Sequence, residues 1–125
     1  IKRVNVKTKV TLINPQQSQR QTELELLVDS GAIYTIIPGE TAERLGMERR
    51  GVRKFRLADG SVISRDYGIA IVRIGEQVGG VTIVFGEAAD ASVLGVTALE
   101  ALGLQLDPVS GELKPMELLL LSNVP

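Results

Sequence analysis

Asp29, Ser30 and Gly31 are the residues of this chain whose types and spacing best suit chemistry. They follow the apolar run Leu26-Leu27-Val28 and precede Ala32, Ile33 and Tyr34, after which Thr35-Ile36-Ile37 leads to Pro38. Apolar, β-branched runs broken by turn residues read as strands, so the pattern predicts a strand, a tight loop presenting one carboxylate, and a second strand. An ionised carboxylate between buried strands costs on the order of several kcal/mol unless a partner or a shared proton compensates it. A carboxylate held there is suited to acid–base work. Asp, Ser and Gly are also ordinary turn formers, so the tripeptide without its flanking runs is weak evidence against a plain turn.

The rest of the composition narrows the chemistry. With no His and no Cys, the chain has no Ser-His-Asp or Cys-His nucleophile pair, no thiolate or imidazole zinc site and no disulfide framework. Any hydrolysis must run on carboxylates. No cluster of acids stands at metal-ligand spacing, so neither metal nor cofactor is expected. The other aspartates, Asp59, Asp66, Asp90 and Asp107, all fall at expected turns or strand ends. Amide hydrolysis by aspartates needs two of them, one to deprotonate water and one, still protonated, to polarise the carbonyl. A twofold homodimer that sets Asp29 beside its own copy meets this need, with Ser30 hydrogen-bonding across the dimer, Gly31 allowing close backbone approach and Ala32 keeping the site small. Like charges about 3 Å apart share one proton, so the two apparent pKa values belong to the pair.

The elements that must position Asp29 can be read in order. Val4, Val6, Val10 and Leu12 alternate with Lys7, Lys9 and Thr11, a half-buried strand. Asn14 to Gln21 reads as a polar turn, and Thr22 to Val28 as the return strand that delivers Asp29. Pro38 to Gly46 reads as a short helix with Gly46 as its left-handed stop, followed by a charged connector to Gly51. Residues 52–58 and 61–74 form a long hairpin about Asp59-Gly60, a dipeptide that favours a tight primed turn. Ile69 to Ile74 and Val81 to Phe85 read as strands covered on both sides, joined by a Gly-containing turn from Gly75 to Gly80. Thr97 and Glu100 have capping-box spacing at the start of a helix that Gly103 stops. Ile36-Ile37, Thr41-Ala42 and Leu45-Gly46 are echoed by Val93-Leu94, Thr97-Ala98 and Leu102-Gly103, which suggests a duplicated strand-then-helix unit. A strand from Leu104 to Leu106, a turn at Asp107-Pro108 and a tail interrupted by Pro115 complete the chain. Leu118 to Leu121 either fills the core or pairs with a partner chain, and an interface is the expectation.

An apolar pair, then Asp-Ser-Gly-Ala, with Val93-Leu94-Gly95 and a helix later in the chain, resembles the retropepsin-like aspartic proteases. The likeness runs over about residues 4–107, and its specific part is those two short motifs. It implies a mostly β, closed β-barrel protomer with one or two short helices, forming a twofold homodimer that cleaves peptide or protein substrates. It implies that Asp29, Ser30 and Gly31 are catalytic and that Ala32, Ile33, Tyr34, Ala91 and Val93 border substrate, though Val93 also suits ordinary core packing. It further implies that Ala58, Asp59 and Gly60 lie at the tip of a flap that closes over substrate, although most Asp-Gly turns are only turns. Viral members carry an acid shortly after the catalytic Ala, where this chain has Ile33 and Tyr34, and an Arg after the later Gly, where it has Val96. The chain is therefore closer to single-domain microbial members, and viral subsite preferences do not carry over.

At 125 residues the chain is expected to form a single domain, 1–125, too short for two such lobes. A net charge of −1 and 3% aromatic residues argue against a nucleic-acid or anionic-membrane partner. No window reaches the ~18 to 20 apolar residues of a membrane span. Absence of Cys fits a reducing compartment, so a cytoplasmic location is the expectation, although a start at Ile1 leaves room for a trimmed leader or anchor. Two other readings share these features. One is a catalytically silent dimeric module that holds extended peptides by strand addition. The other is a purely structural β domain, against which the buried-acid loop argues.

Overall fold

The computed structural model describes residues 6–117, and within it strand β1 (Val6–Asn14) alternates as its sequence does. Val10 and Leu12 are fully buried, while Lys7 and Lys9 are exposed. Strand β2 (Gln17–Val28) returns antiparallel, with Val10 opposite Leu24 and Val6 opposite Val28. The expected polar turn from Asn14 to Gln21 is shorter, because only Pro15 and Gln16 separate the strands. Asn14 is the reason. Its Oδ1 accepts the N–H groups of Gln16 (2.9 Å) and Gln17 (3.2 Å), while its Nδ2 donates to the Leu45 carbonyl at 2.8 Å. Val4 and the Leu118–Leu121 run lie outside the described residues.

Strand β3 (Thr35–Pro38) runs into helix α1 (Gly39–Arg44). Gly46 stops it at φ 71°, its N–H bonding the Glu43 carbonyl while the Met47 N–H reaches the Ala42 carbonyl. Strands β4 (Gly51–Arg56) and β5 (Val62–Ile74) make the expected long hairpin. Its turn differs from the primed form that Asp59-Gly60 suggests. The Leu57 N–H bonds the Ser61 carbonyl and the Gly60 N–H the Leu57 carbonyl, so three residues span the turn, and of Asp59 and Gly60 only the glycine has positive φ, 88°. Asp59 instead accepts the N–H (2.9 Å) and hydroxyl (2.6 Å) of Ser61, which holds its carboxyl below the usual range.

Strand β6 (Gln77–Gly86) begins earlier than the expected Val81, since the reversal needs only Gly75 and Glu76. Gly79 serves packing, not turning, because a Cβ there would sit 2.7 Å from the Ala101 carbonyl oxygen. The expected two-sided cover holds for β6 from Ile83 to Phe85 but not for β5, where Ala70 and Val72 are buried and Ile69 is 43% exposed. The difference has a structural cause: both helices pack against β6, and β3 lies parallel beside it.

Strand β7 (Val93–Leu94) leads to helix α2 (Val96–Leu102), stopped by Gly103 at φ 67°. The strand–helix echo in the sequence is thus two units of the same kind, each ended by a left-handed glycine. Strands β8 (Leu104–Leu106) and β9 (Leu113–Pro115) form a separate small hairpin. The main sheet runs β1-β2-β7-β3-β6-β5-β4, and β1 also pairs with β5 through Thr11 to Ile13 against Ile71 to Arg73. The fold is mostly β, and its ladder returns on itself unevenly, through short pairings at β7 and between β1 and β5. Leu12, Leu26, Ile37, Val72, Ile83 and Leu94 fill the interior. Among the described residues no helix is long and apolar enough to cross a membrane.

The β8–β9 turn is organised by Asp107, whose carboxylate pairs with Lys114 at 2.6 Å and accepts the Val109 N–H at 2.8 Å. Lys114 above all holds the Asp107 carboxyl down at about 2, against an ordinary 3.8. Below its ordinary value the unfolded chain takes up a proton that the folded chain refuses, so this contribution is whole above about pH 4 and fades as pH falls towards about 2. Asp107→Asn should therefore flatten the fall of the urea midpoint across that window. A fall as steep as in wild type would assign the acid sensitivity to other groups.

Candidate active site

Val28 is the last residue of β2, and Leu27 and Val28 pair in parallel with Val93 and Leu94 of β7. The ladder runs one step further, the Asp29 N–H donating to the Leu94 carbonyl at 3.0 Å. The backbone of Asp29 is therefore fixed by β7. Beyond it the chain folds back: the Gly31 N–H donates to Asp29 Oδ1 at 2.9 Å and the Ala32 N–H to the Asp29 carbonyl at 3.1 Å. A Cβ at Gly31 would crowd that Oδ1 at 3.2 Å.

The second half of the loop hangs from α2. The Val96 N–H donates to the Ala32 carbonyl (2.8 Å), and both the N–H (3.1 Å) and the hydroxyl (2.7 Å) of Thr97 donate to the Ile33 carbonyl. The expected capping box of Thr97 and Glu100 does not form: Gly95 is the N-cap, and the Thr97 hydroxyl is engaged by the loop. The Gly95 N–H donates to the buried Thr35 Oγ1 at 3.0 Å. A Cβ on Gly95 would lie 2.6 Å from the Tyr34 carbonyl carbon and 2.9 Å from the Ile33 oxygen, so the turn requires glycine.

Beside Asp29 opens a cleft of about 760 Å³. Ala32, Ile33 and Tyr34 line one side with Ala91 and Val93, and β4 lines the other. Tyr34 meets Phe55 of β4 edge to face, ring centres 5.8 Å apart, which ties the hairpin to the Asp29 loop. Of the residues singled out in the sequence, Asp29, Gly31, Ala32, Ile33, Tyr34, Ala91 and Val93 all come together at this cleft. Ser30 is exposed next to Asp29 but does not line it, and the lining ends at Leu57, short of Ala58, Asp59 and Gly60 at the hairpin tip.

Sequence reasoning missed a pair in the wall of the cleft. Arg65 grips Asp90 with two parallel bonds, Nε to Oδ2 at 2.6 Å and Nη2 to Oδ1 at 3.0 Å, and the side chains are only 14% and 19% exposed. The Glu87 N–H adds a bond to Oδ2 at 2.7 Å. The guanidinium holds the Asp90 carboxyl below its usual range, so this carboxylate stays ionised and paired. Only the charges themselves hinted at it, since the partners stand 25 residues apart.

Gly95→Ala should destabilise the fold by about 1–3 kcal/mol or more, because backbone atoms must yield. Gly80→Ala, where an added Cβ meets nothing within 4 Å, is the matched control. Equal urea midpoints for the two variants would show that the contact at Gly95 is no constraint.

Residues 17–101, from β2 through most of α2, match the family model described as "gag-polyprotein putative aspartyl protease". No curated protein matches the sequence. Among solved structures, the chain is similar to a retropepsin-like aspartic protease from Rickettsia conorii, with 19% identity over 86% of this chain and 90% of that one and a TM-score of 0.49. The match to that family model over residues 17–101 shows that the chain belongs to the retropepsin-like aspartyl protease family.

Proposed function

We propose that the chain is an aspartic endopeptidase that works as a twofold homodimer, with the two copies of Asp29 as its catalytic dyad. One observation carries the reading. Among the described residues, Asp29 and Asp90 are the acids that line the cleft, and Asp90 is locked to Arg65 while Asp29 is engaged only by the Gly31 N–H. A single chain therefore offers one available carboxylate where the reaction needs two. Ser30 is exposed on the same loop, and its hydroxyl would brace that loop against a second copy.

In the dimer one Asp29 carboxylate takes a proton from water as its oxygen attacks the scissile carbonyl carbon. The other, protonated, donates to the carbonyl oxygen as charge develops there. As the tetrahedral gem-diol collapses and the C–N bond breaks, the amine nitrogen takes the proton held by the first Asp29 and a gem-diol hydroxyl returns its proton to the second, so the pair again holds one proton. The step needs the pair to hold one proton, so activity falls where it holds two and where it holds none. The β4–β5 hairpin acts as the flap, with its tip at Ala58 to Gly60, and the Phe55–Tyr34 contact holds it beside the Asp29 loop close to that tip. Ile33, Tyr34, Ala91 and Val93 give apolar walls for substrate side chains.

Wild type should cleave an unfolded protein or mixed peptide library between about pH 3 and 7, and Asp29→Asn should lose at least ~10²-fold of that rate. Equal rates would sink the mechanism. Two folded, dimeric, peptide-binding proteins that both fail to cleave would leave the silent binding module. The dimer has its own test. If each active unit needs two Asp29 carboxylates, mixing wild type with an equal amount of Asp29→Asn at fixed total protein leaves about a quarter of the activity, whereas an active monomer leaves about half.

A further inference from the structure

We propose that the cleft selects peptides carrying Asp or Glu beside the scissile bond, through Arg53, Lys54 and Arg56 of β4. The inference rests on the peptidase reading above and names its substrate class. All three cations line the cleft, as does Arg65. Arg65 is already balanced by Asp90, with Glu87 Oε2 at 3.5 Å from its Nη1. Among the described residues Arg53, Lys54 and Arg56 make no ion pair. Arg53 lies over the Tyr67 ring at 4.3 Å and Arg56 donates Nη1 to the Gly60 carbonyl at 3.2 Å, contacts that hold each guanidinium while leaving its charge unneutralised. Elsewhere Arg49 is matched by Glu43 and Asp66, Arg50 by Glu48 and Lys114 by Asp107, and the other described cations without an ion pair, Lys7, Arg20, Arg44 and Arg73, do not line this cleft.

A chain of net charge −1 thus concentrates three unpaired positive charges along a cleft whose one unpaired acid is Asp29. Apolar walls at Ile33, Tyr34 and Phe55 flank these charges and focus that field. Pre-positioned guanidinium forks match a carboxylate, and the apolar walls accept the neighbouring side chain. The charge complementarity therefore fits a peptide with an apolar residue flanked by acids. A nucleic acid would share the charge, but Tyr34 and Phe55 are turned edge to face on each other and give no stacking platform.

The test uses Asp29→Asn protein and a fluorescent peptide with an apolar centre flanked by two Glu, two Gln or two Lys. The Glu peptide should bind about 3- to 10-fold tighter than the Gln peptide and the Lys peptide most weakly. The gap should shrink between about 20 and 200 mM salt, and Lys54→Glu with Arg56→Glu should reverse the order. Equal binding of Glu and Gln peptides, an order that survives charge reversal, or displacement by an equally charged single-stranded oligonucleotide at lower concentration would overturn the proposal. Cleavage of the same peptides by wild type reads the other question separately. Acid preference without cleavage removes the peptidase and keeps the selectivity, while cleavage blind to charge does the opposite.

Discussion

The approach of the Gly95 backbone to that of Tyr34 and Ile33 is the contact on which the site depends. A two-residue strand such as β7 has little stability of its own, having two pairs with β2 and one with β3. It is held because α2 follows immediately and its first N–H groups, which a helix leaves without partners, are aimed at the Ala32 and Ile33 carbonyls. The loop thus caps the helix, and the helix fixes the loop.

The two strand–helix units share their logic and differ in what they grip. The first, β3–α1, ends where Asn14 reaches across to the Leu45 carbonyl and locks the β1–β2 turn. The second, β7–α2, begins on the loop that carries Asp29. Two units of like build carry two tasks, one supporting the far end of a hairpin and one its near end. Both tasks use backbone carbonyls, which any sequence supplies, so the echo in side chains is faint.

Much of this was legible because it is written locally. Asp29 between two apolar runs and the left-handed stops at Gly46 and Gly103 each have a short-range signature. The failures share a different cause. Gln17 to Gln21 read as loop because that end of the hairpin is exposed on both faces, and polarity was taken for irregularity. Gly79 read as part of a turn because the helix that needs its missing Cβ lies 22 positions on, at Ala101. Thr97 has the spacing of a cap, yet a carbonyl 64 residues earlier claims its hydroxyl. Nothing in the neighbourhood of either Arg65 or Asp90 marks the other as its partner.

Among the described residues strand β4 stands at the end of the sheet and pairs only with β5, so a row of its backbone N–H and C=O groups is left without strand partners there. A bare edge of this kind invites the same edge of another molecule, the route by which β proteins aggregate. Arg53, Lys54 and Arg56 put three like charges into four positions of that edge, and a second copy would bring three more against them. The strand can stay open without adhering to its own kind, which keeps an accessible edge compatible with a protein at high concentration.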